Sequence, residues 1–182
     1  MRLAELKKEI IVPQGIEVKL EEKTLIAKGP QGENQKMLIY PTMKILLEQN
    51  RIVLSVKNAD KKDKTMLGTL QAHVKNLVKG VGEGFTYKLK VCSGHFPMTV
   101  ANENNQVIIN NFMGEKVPRK ANILEGVKVE IQGDLITLTG HDKERVGQSA
   151  ANIELATKRR GFDKRIFQDG CYIIEKAGKG AQ

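Results

Sequence analysis

The fold is decided by residues 127–153, which read VKVEIQGDLITLTGHDKERVGQSAANI. The two runs Val127–Ile131 and Leu135–Leu138 alternate apolar with polar residues around a Gly-Asp pair. Such alternation predicts strands with one buried face, and Gly-Asp between the runs is typical of a tight hairpin turn. Asp142 is placed to cap a helix. The residues on the inner face of that helix are Val146, Ala150, Ile153 and Thr157. The stretch therefore predicts a hairpin covered by one helix.

The same pattern occurs earlier in the chain. Residues 43–56 also hold two alternating runs, and a helix with one apolar face follows them. A shift of 84 residues aligns the two hairpins, and a shift of 79 aligns the helices at Leu67-Gly68 and Val146-Gly147. The sequence therefore predicts an α+β fold of two tandem duplicated domains, each a small, mostly antiparallel sheet covered by one helix. We place these domains at residues 1–82 and 83–182.

Local signals suggest where the remaining elements begin and end. Asp63 is the expected N-cap of the first helix, and Gly80 is expected to end it. Leu3, Leu6 and Ile10 are spaced to form one apolar stripe on a helix at the N-terminus. That helix would be short, and short helices have little stability of their own.

Composition limits the class of protein. The chain has 182 residues, 30 of them Lys or Arg and 21 Asp or Glu, which gives a formal charge of +9. A basic excess of this size favours a polyanionic partner. No apolar run approaches the ~20 residues that cross a bilayer, and the first residues do not form a signal peptide. Two distant cysteines provide no disulfide framework. We expect a soluble, cytoplasmic protein with no membrane partner.

The sequence gives little support for catalysis or metal binding. Cys92 and His95 lie three apart, but the second close pair that a structural zinc site needs is missing. The glycines of residues 80–84 follow a helix and precede a strand, which is the reverse of a dinucleotide-binding fingerprint. We therefore expect no catalytic residue, metal site, cofactor or small-molecule substrate, with Cys92 buried on a strand and His95 in a loop.

Basic residues are concentrated immediately after the second predicted helix. Residues 158–165 read KRRGFDKR, with five bases and one acid, whereas residues 80–84 occupy the matching place in the first copy and read GVGEG. Positions shared by the copies maintain the fold, so the unshared bases indicate another role, and contact with phosphates fits them best. The five bases are Lys158, Arg159, Arg160, Lys164 and Arg165.

Aromatic residues and two smaller basic groups accompany this segment. Phe162, Phe167 and Tyr172 could stack on unpaired bases or could dock the C-terminal tail into the core, and we favour docking, especially for Phe167 and Tyr172. A basic group in the second copy consists of Lys116, Arg119 and Lys120. A group in the first copy, which two acids dilute, consists of Lys57, Lys61, Lys62 and Lys64.

Several motifs, taken together, resemble those of one known family. The chain carries KGPQGE at residues 28–33, NLVKGV at 76–81 and VGQSAANI at 146–153, and with them resembles the universal large-subunit ribosomal protein six family, called nine in eukaryotes. NFMGEK at residues 111–116 and RIFQDGCYIIEK at 165–176 are similar to the archaeal and eukaryotic branch. The resemblance covers nearly the whole chain.

The resemblance implies a function. It implies a structural constituent of the large ribosomal subunit that supports translation and is not an enzyme. Family members bind large-subunit rRNA chiefly through the second domain, near the stalk base and the factor-binding region, beside neighbouring ribosomal proteins. The RNA-facing residues would then be the five bases named above, together with Lys116, Arg119, Lys120, Lys176 and Lys179.

A second interpretation remains open at this point. A free-standing nucleic-acid-binding regulator would account for the basic charge equally well.

Overall fold

The chain forms two compact units, Met1–Gly84 and Phe85–Gln182. The computed structural model describes residues 3–48, 50–159, 161–163, 165–177 and 179–180. Within this described part of the chain, neither long helix is apolar enough over a sufficient length to cross a membrane.

The first unit contains two antiparallel sheets of three strands each. One sheet, ordered β1-β6-β5, consists of β1 (Leu3–Ile11), β5 (Met43–Glu48) and β6 (Arg51–Ala59). The other, ordered β2-β3-β4, consists of β2 (Glu17–Glu21), β3 (Thr24–Gly29) and β4 (Gly32–Met37). One helix, α1 (Lys61–Gly82), contacts strands of both sheets.

The N-terminal segment is the strand β1, not the short helix that the spacing of its apolar residues also allows. Leu6 pairs with Val56 and Ile10 with Ile52 in the antiparallel ladder between β1 and β6. A spacing of four residues is compatible with one face of a helix and also with one face of a strand. The neighbouring strand β6 supplies backbone partners along the whole segment, and a short isolated helix has no such support.

Both predicted ends of α1 also need correction. The N-cap is Asp60, whose carboxylate accepts a hydrogen bond from the backbone N–H of Asp63 at 2.8 Å. Asp63 is the reciprocal member of a capping box, because its carboxylate accepts from the Asp60 N–H at 2.9 Å. At the other end the helix continues past Gly80, which is buried, to Gly82. The glycine with left-handed backbone is Gly84, at φ +77°.

A close backbone approach fixes α1 against the β3–β4 turn. The N–H of Gln31 donates to the carbonyl of Val81 at 3.0 Å. A Cβ atom at Gly29 would lie 2.5 Å from that same carbonyl oxygen. Glycine is therefore required at residue 29 for the turn to reach the end of the helix.

The second unit repeats this topology and adds a hairpin. A five-stranded sheet, ordered β11-β12-β7-β13-β14, consists of β7 (Phe85–Cys92), β11 (Val127–Gln132), β12 (Leu135–Gly140), β13 (Gly170–Lys176) and β14 (Lys179–Gly180). A three-stranded sheet, ordered β10-β9-β8, consists of β8 (Thr99–Glu103), β9 (Gln106–Asn110) and β10 (Arg119–Asn122). The helix α2 (Lys143–Ala156) again contacts both sheets. Strands β13 and β14 extend the sheet beyond β7 and have no counterpart among the described residues of the first unit.

The helix α2 begins as the sequence predicted. The carboxylate of its N-cap, Asp142, accepts hydrogen bonds from the N–H groups of Glu144 and Arg145. Val146, Ala150 and Ile153 are fully buried on its inner face. The α+β class and the tandem duplication are confirmed. Each unit, however, divides its strands between two sheets, and its one helix contacts both.

We predict that Gly29→Ala lowers the free energy of unfolding by about 1–3 kcal/mol, because the added Cβ meets a backbone oxygen that cannot move independently. Gly68→Ala is the matched control. A Cβ at Gly68 meets no atom within 4 Å, so replacing this glycine inside α1 should raise stability by about 0.5–1 kcal/mol. Chemical denaturation of both variants measures the effects. Equal changes in the two variants would contradict the close approach.

Candidate RNA-binding surface

A left-handed loop leads into strand β10. Asn111, Met113 and Gly114 have φ values of +57°, +49° and +79°. The side-chain amide of Asn111 donates to the carbonyl of Pro97 at 2.8 Å, which stabilises this unusual backbone. The loop ends at Glu115, whose carboxylate faces Arg119 on β10.

Arg119 connects this loop to the end of α2. Its Nε and Nη2 donate to the two carboxylate oxygens of Glu115 at 2.8 and 2.7 Å, while Nη1 donates to the carbonyl of Ala156 at 2.8 Å. The guanidinium also lies 4.3 Å from the ring centroid of Phe112, a buried residue. Hydrogen bonds from Arg119 lower the pKa of Glu115. Arg119 therefore caps the C-terminal end of α2.

Arg159 lies beside the same carboxylate. Its Nη1 is 3.6 Å from Oε1 of Glu115 and 3.6 Å from the sulfur of Met113. Its guanidinium also covers the ring of Phe162 at 4.7 Å from the centroid. Glu115 thus brings together two of the predicted arginines, Arg119 and Arg159.

A pocket of about 280 Å³ opens beside these groups. Its cationic side chains, Lys158 and Arg159, follow directly from α2, and Met113 comes from the left-handed loop. The other lining residues are Glu154, Leu155, Thr157, Phe162, Phe167, Asp169 and Tyr172. Phe162 and Tyr172 are 40% and 36% exposed. Neither is buried as the docking interpretation required, and only Phe167 is half-buried.

A row of stacked rings anchors the basic segment on one side of the pocket. Phe162 meets Phe167 edge to face, and Phe167 stacks on His95, with 4.9 Å between ring centroids in both contacts. The Nδ1 atom of His95 lies 2.6 Å from Oδ2 of Asp169. His95 is in a loop, as predicted, and it joins the aromatic row to a buried carboxylate.

Asp169 is the most enclosed acid of this group. Its side chain is 3% exposed, and Oδ1 accepts hydrogen bonds from the backbone N–H groups of Gly94 at 2.8 Å and His95 at 2.9 Å. Burial acts to raise the pKa of Asp169, but the hydrogen bonds from His95 and Gly94 outweigh it and lower the pKa overall. The carboxylate therefore stays ionised and connects the loop of His95 to the start of β13.

Arg165 forms a separate and more exposed pair. Its Nη2 donates to Oδ2 of Asp163 at 2.7 Å, and its side chain is 90% exposed. The hydrogen bond from Arg165 is the main cause of the lowered pKa of Asp163. Part of the positive charge of the basic segment is therefore already balanced by its own acid.

The remaining predicted residues differ in position. Lys116 and Lys120 are exposed before and on β10, and Lys176 is exposed at the end of β13. No contact among the described residues joins these three lysines to the pocket. Arg160, Lys164 and the side chain of Lys179 lie outside the described residues.

The Cys171 thiol lacks the reactivity of a nucleophile or metal ligand. Burial raises the pKa of the Cys171 thiol to about 12, so it remains protonated at neutral pH. The backbone N–H of Cys171 donates to the buried hydroxyl of Thr157 at 2.9 Å. Cys92 is half-buried, not buried as expected. Among the residues that the structure covers, no three metal-ligating side chains come together.

Comparison with known proteins identifies the family. A family model described as Ribosomal protein L6 matches residues 12–84 and 96–170. The chain belongs to the ribosomal protein L6 family. Its two matched stretches correspond to the two units, and the second includes the basic segment and the left-handed loop.

Curated relatives in this family are similar over almost their whole length. The large ribosomal subunit protein uL6 of Methanobrevibacter smithii is 44% identical over 173 residues, 95% of this chain and 97% of that protein. The uL6 protein of Methanosarcina mazei is 44% identical over 95% of this chain and 98% of that protein. The uL6 protein of Methanococcus vannielii is 44% identical over 96% of each chain.

Sequence reasoning missed the residues that shape this surface of the L6-family chain. These residues are Glu115, Met113 and Asp169. They carry no positive charge, so a search for residues that contact phosphate does not select them. The available signal was the pairing of Glu115 with Arg119, since a carboxylate so close in sequence to an arginine suggests an internal ion pair.

We predict that Arg119→Lys lowers the free energy of unfolding by about 1–2 kcal/mol, because lysine cannot keep both carboxylate bonds, the bond to Ala156 and the stacking on Phe112. Arg165→Lys is the matched control, since it also alters an arginine–carboxylate pair, but an exposed one. Arg165→Lys should leave the free energy of unfolding unchanged, because exposed ion pairs contribute little to it. Urea denaturation compares the two variants, and an equal loss in both would show that Arg119 has no special structural role.

We predict that Asp169→Asn destabilises the protein by about 1–2 kcal/mol at pH 5, because the charged acceptor is lost. The folded-state pKa of Asp169 lies below its ordinary value of 3.8. Its stabilising effect is therefore complete above that value and decreases as the pH falls through the folded-state pKa. Denaturation at about pH 5 and pH 3 should show the gap between wild type and variant narrowing at the lower pH. A constant gap would contradict an ionised Asp169.

Proposed function

We propose that the protein is a structural constituent of the large ribosomal subunit, that it binds large-subunit rRNA through its second unit, and that it does so near the stalk base and the factor-binding region. The membership in the ribosomal protein L6 family supports the ribosomal role, and it supports a structural rather than an enzymatic one. Its partners are then rRNA and neighbouring ribosomal proteins, and its location is the ribosome in the cytoplasm.

The observation that carries the RNA-binding part is the placement of Lys158 and Arg159 on an anchored end of α2. Lys158 is exposed and forms no ion pair with any side chain that the structure describes. Arg119 and the aromatic row hold the surrounding backbone. Cations presented from a fixed framework can recognise the shape of a folded RNA through its phosphates and 2′-hydroxyls, without reading base sequence.

The ten predicted residues then divide by role. Lys158 and Arg159 contact phosphate, and we assign Arg160 and Lys164 to the same role from sequence alone. Arg119 acts as a positioning residue, because most of its donors are engaged within the protein. Arg165 contributes less net charge because Asp163 accompanies it. Lys116, Lys120, Lys176 and Lys179 serve as peripheral cations.

The free-standing regulator is not favoured. The three relatives described above carry the name of a ribosomal protein and align with nearly all of this chain. Sedimentation in sucrose gradients after a high-salt wash tests the choice, because a ribosomal constituent should remain with large subunits in stoichiometric amounts.

We predict that the triple substitution of Lys158, Arg159 and Arg160 by alanine weakens binding to a large-subunit rRNA transcript. Each phosphate that a cation neutralises releases counterions, so the slope of log K against log salt should flatten by about 0.7–0.9 for each phosphate that is no longer neutralised. Filter binding at several salt concentrations measures this slope. An unchanged slope would remove these residues from the RNA interface.

The first unit offers a matched control. Lys57, Lys61 and Lys62 are exposed, and their replacement by alanine removes the same formal charge. This variant should change the slope less than the first, because the charge it removes lies outside the proposed interface. Equal effects of the two triple variants would indicate binding by net charge alone.

A further inference from the structure

The pocket beside the basic segment has a lining of mixed chemistry. Phe162, Tyr172 and Met113 line it with aromatic and sulfur-containing surface, while Glu154 adds a carboxylate. Lys158 and Arg159 supply the positive charges. A plain phosphate-binding patch would have cations and N–H groups inside, and no need for exposed aromatic rings.

The charges of the lining decide which part of a nucleotide can enter. A phosphate inside the pocket would face the carboxylates of Glu154 and Asp169 at close range and be repelled. A nucleobase is uncharged and planar, and it gains from stacking on aromatic rings and on an arginine guanidinium. Its own phosphates can remain outside, beside Lys158 and Arg159.

The pocket is built rather than incidental. Met113 is held there by a left-handed backbone that costs energy in a residue other than glycine. Phe162 is kept in place by its edge-to-face contact with Phe167 and by the guanidinium of Arg159 over its ring. The volume of about 280 Å³ is slightly below the ~300–1,000 Å³ typical of pockets for drug-sized ligands, and suits a single base.

We infer that this pocket receives one unpaired base of the bound RNA, with Phe162 and Tyr172 as stacking surfaces and Lys158 and Arg159 on the adjoining phosphates. This inference rests on the proposed RNA-binding function and adds a specific contact to it. The surface thereby recognises one extruded nucleotide in addition to the shape of the RNA backbone.

Glu154 gives the pocket a preference among bases. Its side chain is half-buried, and its carboxylate has no hydrogen-bond partner among the side chains that the structure covers. A carboxylate only accepts hydrogen bonds, and guanine presents two adjacent donors, the ring N1–H and the exocyclic amino group. Uracil presents one donor between two carbonyl acceptors. The pocket therefore favours guanine over uracil.

The first experiment compares RNA affinity between variants of the full chain. Phe162→Ala should weaken binding to the large-subunit rRNA transcript by about 5- to 100-fold, the effect of removing the stacking surface for one base. The salt slope should be unchanged, because every phosphate keeps its cation. Ile166→Ala, a truncation of an exposed apolar residue in the same segment that does not line the pocket, should bind as wild type. Phe162→Tyr should also bind as wild type, because it keeps the ring.

The second experiment observes the pocket directly in the wild-type protein. The methyl resonance of Met113, assigned from the spectrum of Met113→Leu, is followed by NMR during titration with the pentaribonucleotide UUGUU. The resonance should shift with UUGUU and move less with UUUUU or with the same strand lacking its central base. These strands have nearly the same phosphates, so the contrast isolates the base. Glu154→Gln should abolish the difference between UUGUU and UUUUU.

The outcomes distinguish failure of the pocket from failure of the proposed function. Wild-type affinity in Phe162→Ala, or a Met113 resonance that responds equally to the intact strand and the strand lacking its base, overturns the pocket while leaving rRNA binding in place. Failure of the wild-type protein to bind the transcript, with a base-dependent Met113 shift, overturns the proposed function and leaves the pocket. If thermal melting shows that Phe162→Ala is unfolded, the Met113 titration of the wild-type protein alone tests the pocket.

Discussion

One amphipathic helix in each unit must cover the inner faces of two small sheets, and the rest of the structure depends on that constraint. Neither three-stranded sheet of the first unit would be stable alone with one face bare, so α1 supplies the core for both. Close approaches follow from it. Gly29 carries no side chain because the β3–β4 turn must reach the carbonyl of Val81 at the end of the helix.

In the second unit the same constraint fixes the place where the basic segment begins. Val146, Ala150 and Ile153 hold α2 in the core, and Arg119 caps its last carbonyl from strand β10. Lys158 therefore follows directly after a helix end that is held by both packing and hydrogen bonds. A segment anchored this way loses less conformational entropy on binding than a free tail of the same charge.

The sequence pattern was sufficient to predict the repeated hairpins and helices. It was less informative about the segments that surround them. The hairpin of residues 127–138 and the Asp142 cap follow from local rules, because alternation and capping act between near neighbours. The N-terminal segment could not be assigned from the sequence because Leu6 and Ile10 fit two periodicities, and only pairing with β6 decides between them. The resemblance implies that Arg119 faces RNA, and only the structure shows that its donors are directed to Glu115 and Ala156.

The sequence alone determined the α+β class, because alternation and capping are local signals. It also determined the tandem duplication and the unshared cluster of bases, because these come from comparing the chain with itself. The tertiary structure decided how the strands divide between sheets, which cations are compensated, and that Met113, Phe162 and Tyr172 line one pocket. These three residues are 10 to 59 positions apart in the chain. No local rule relates residues at such separations, and they meet only because α2 and the two sheets pack into one core.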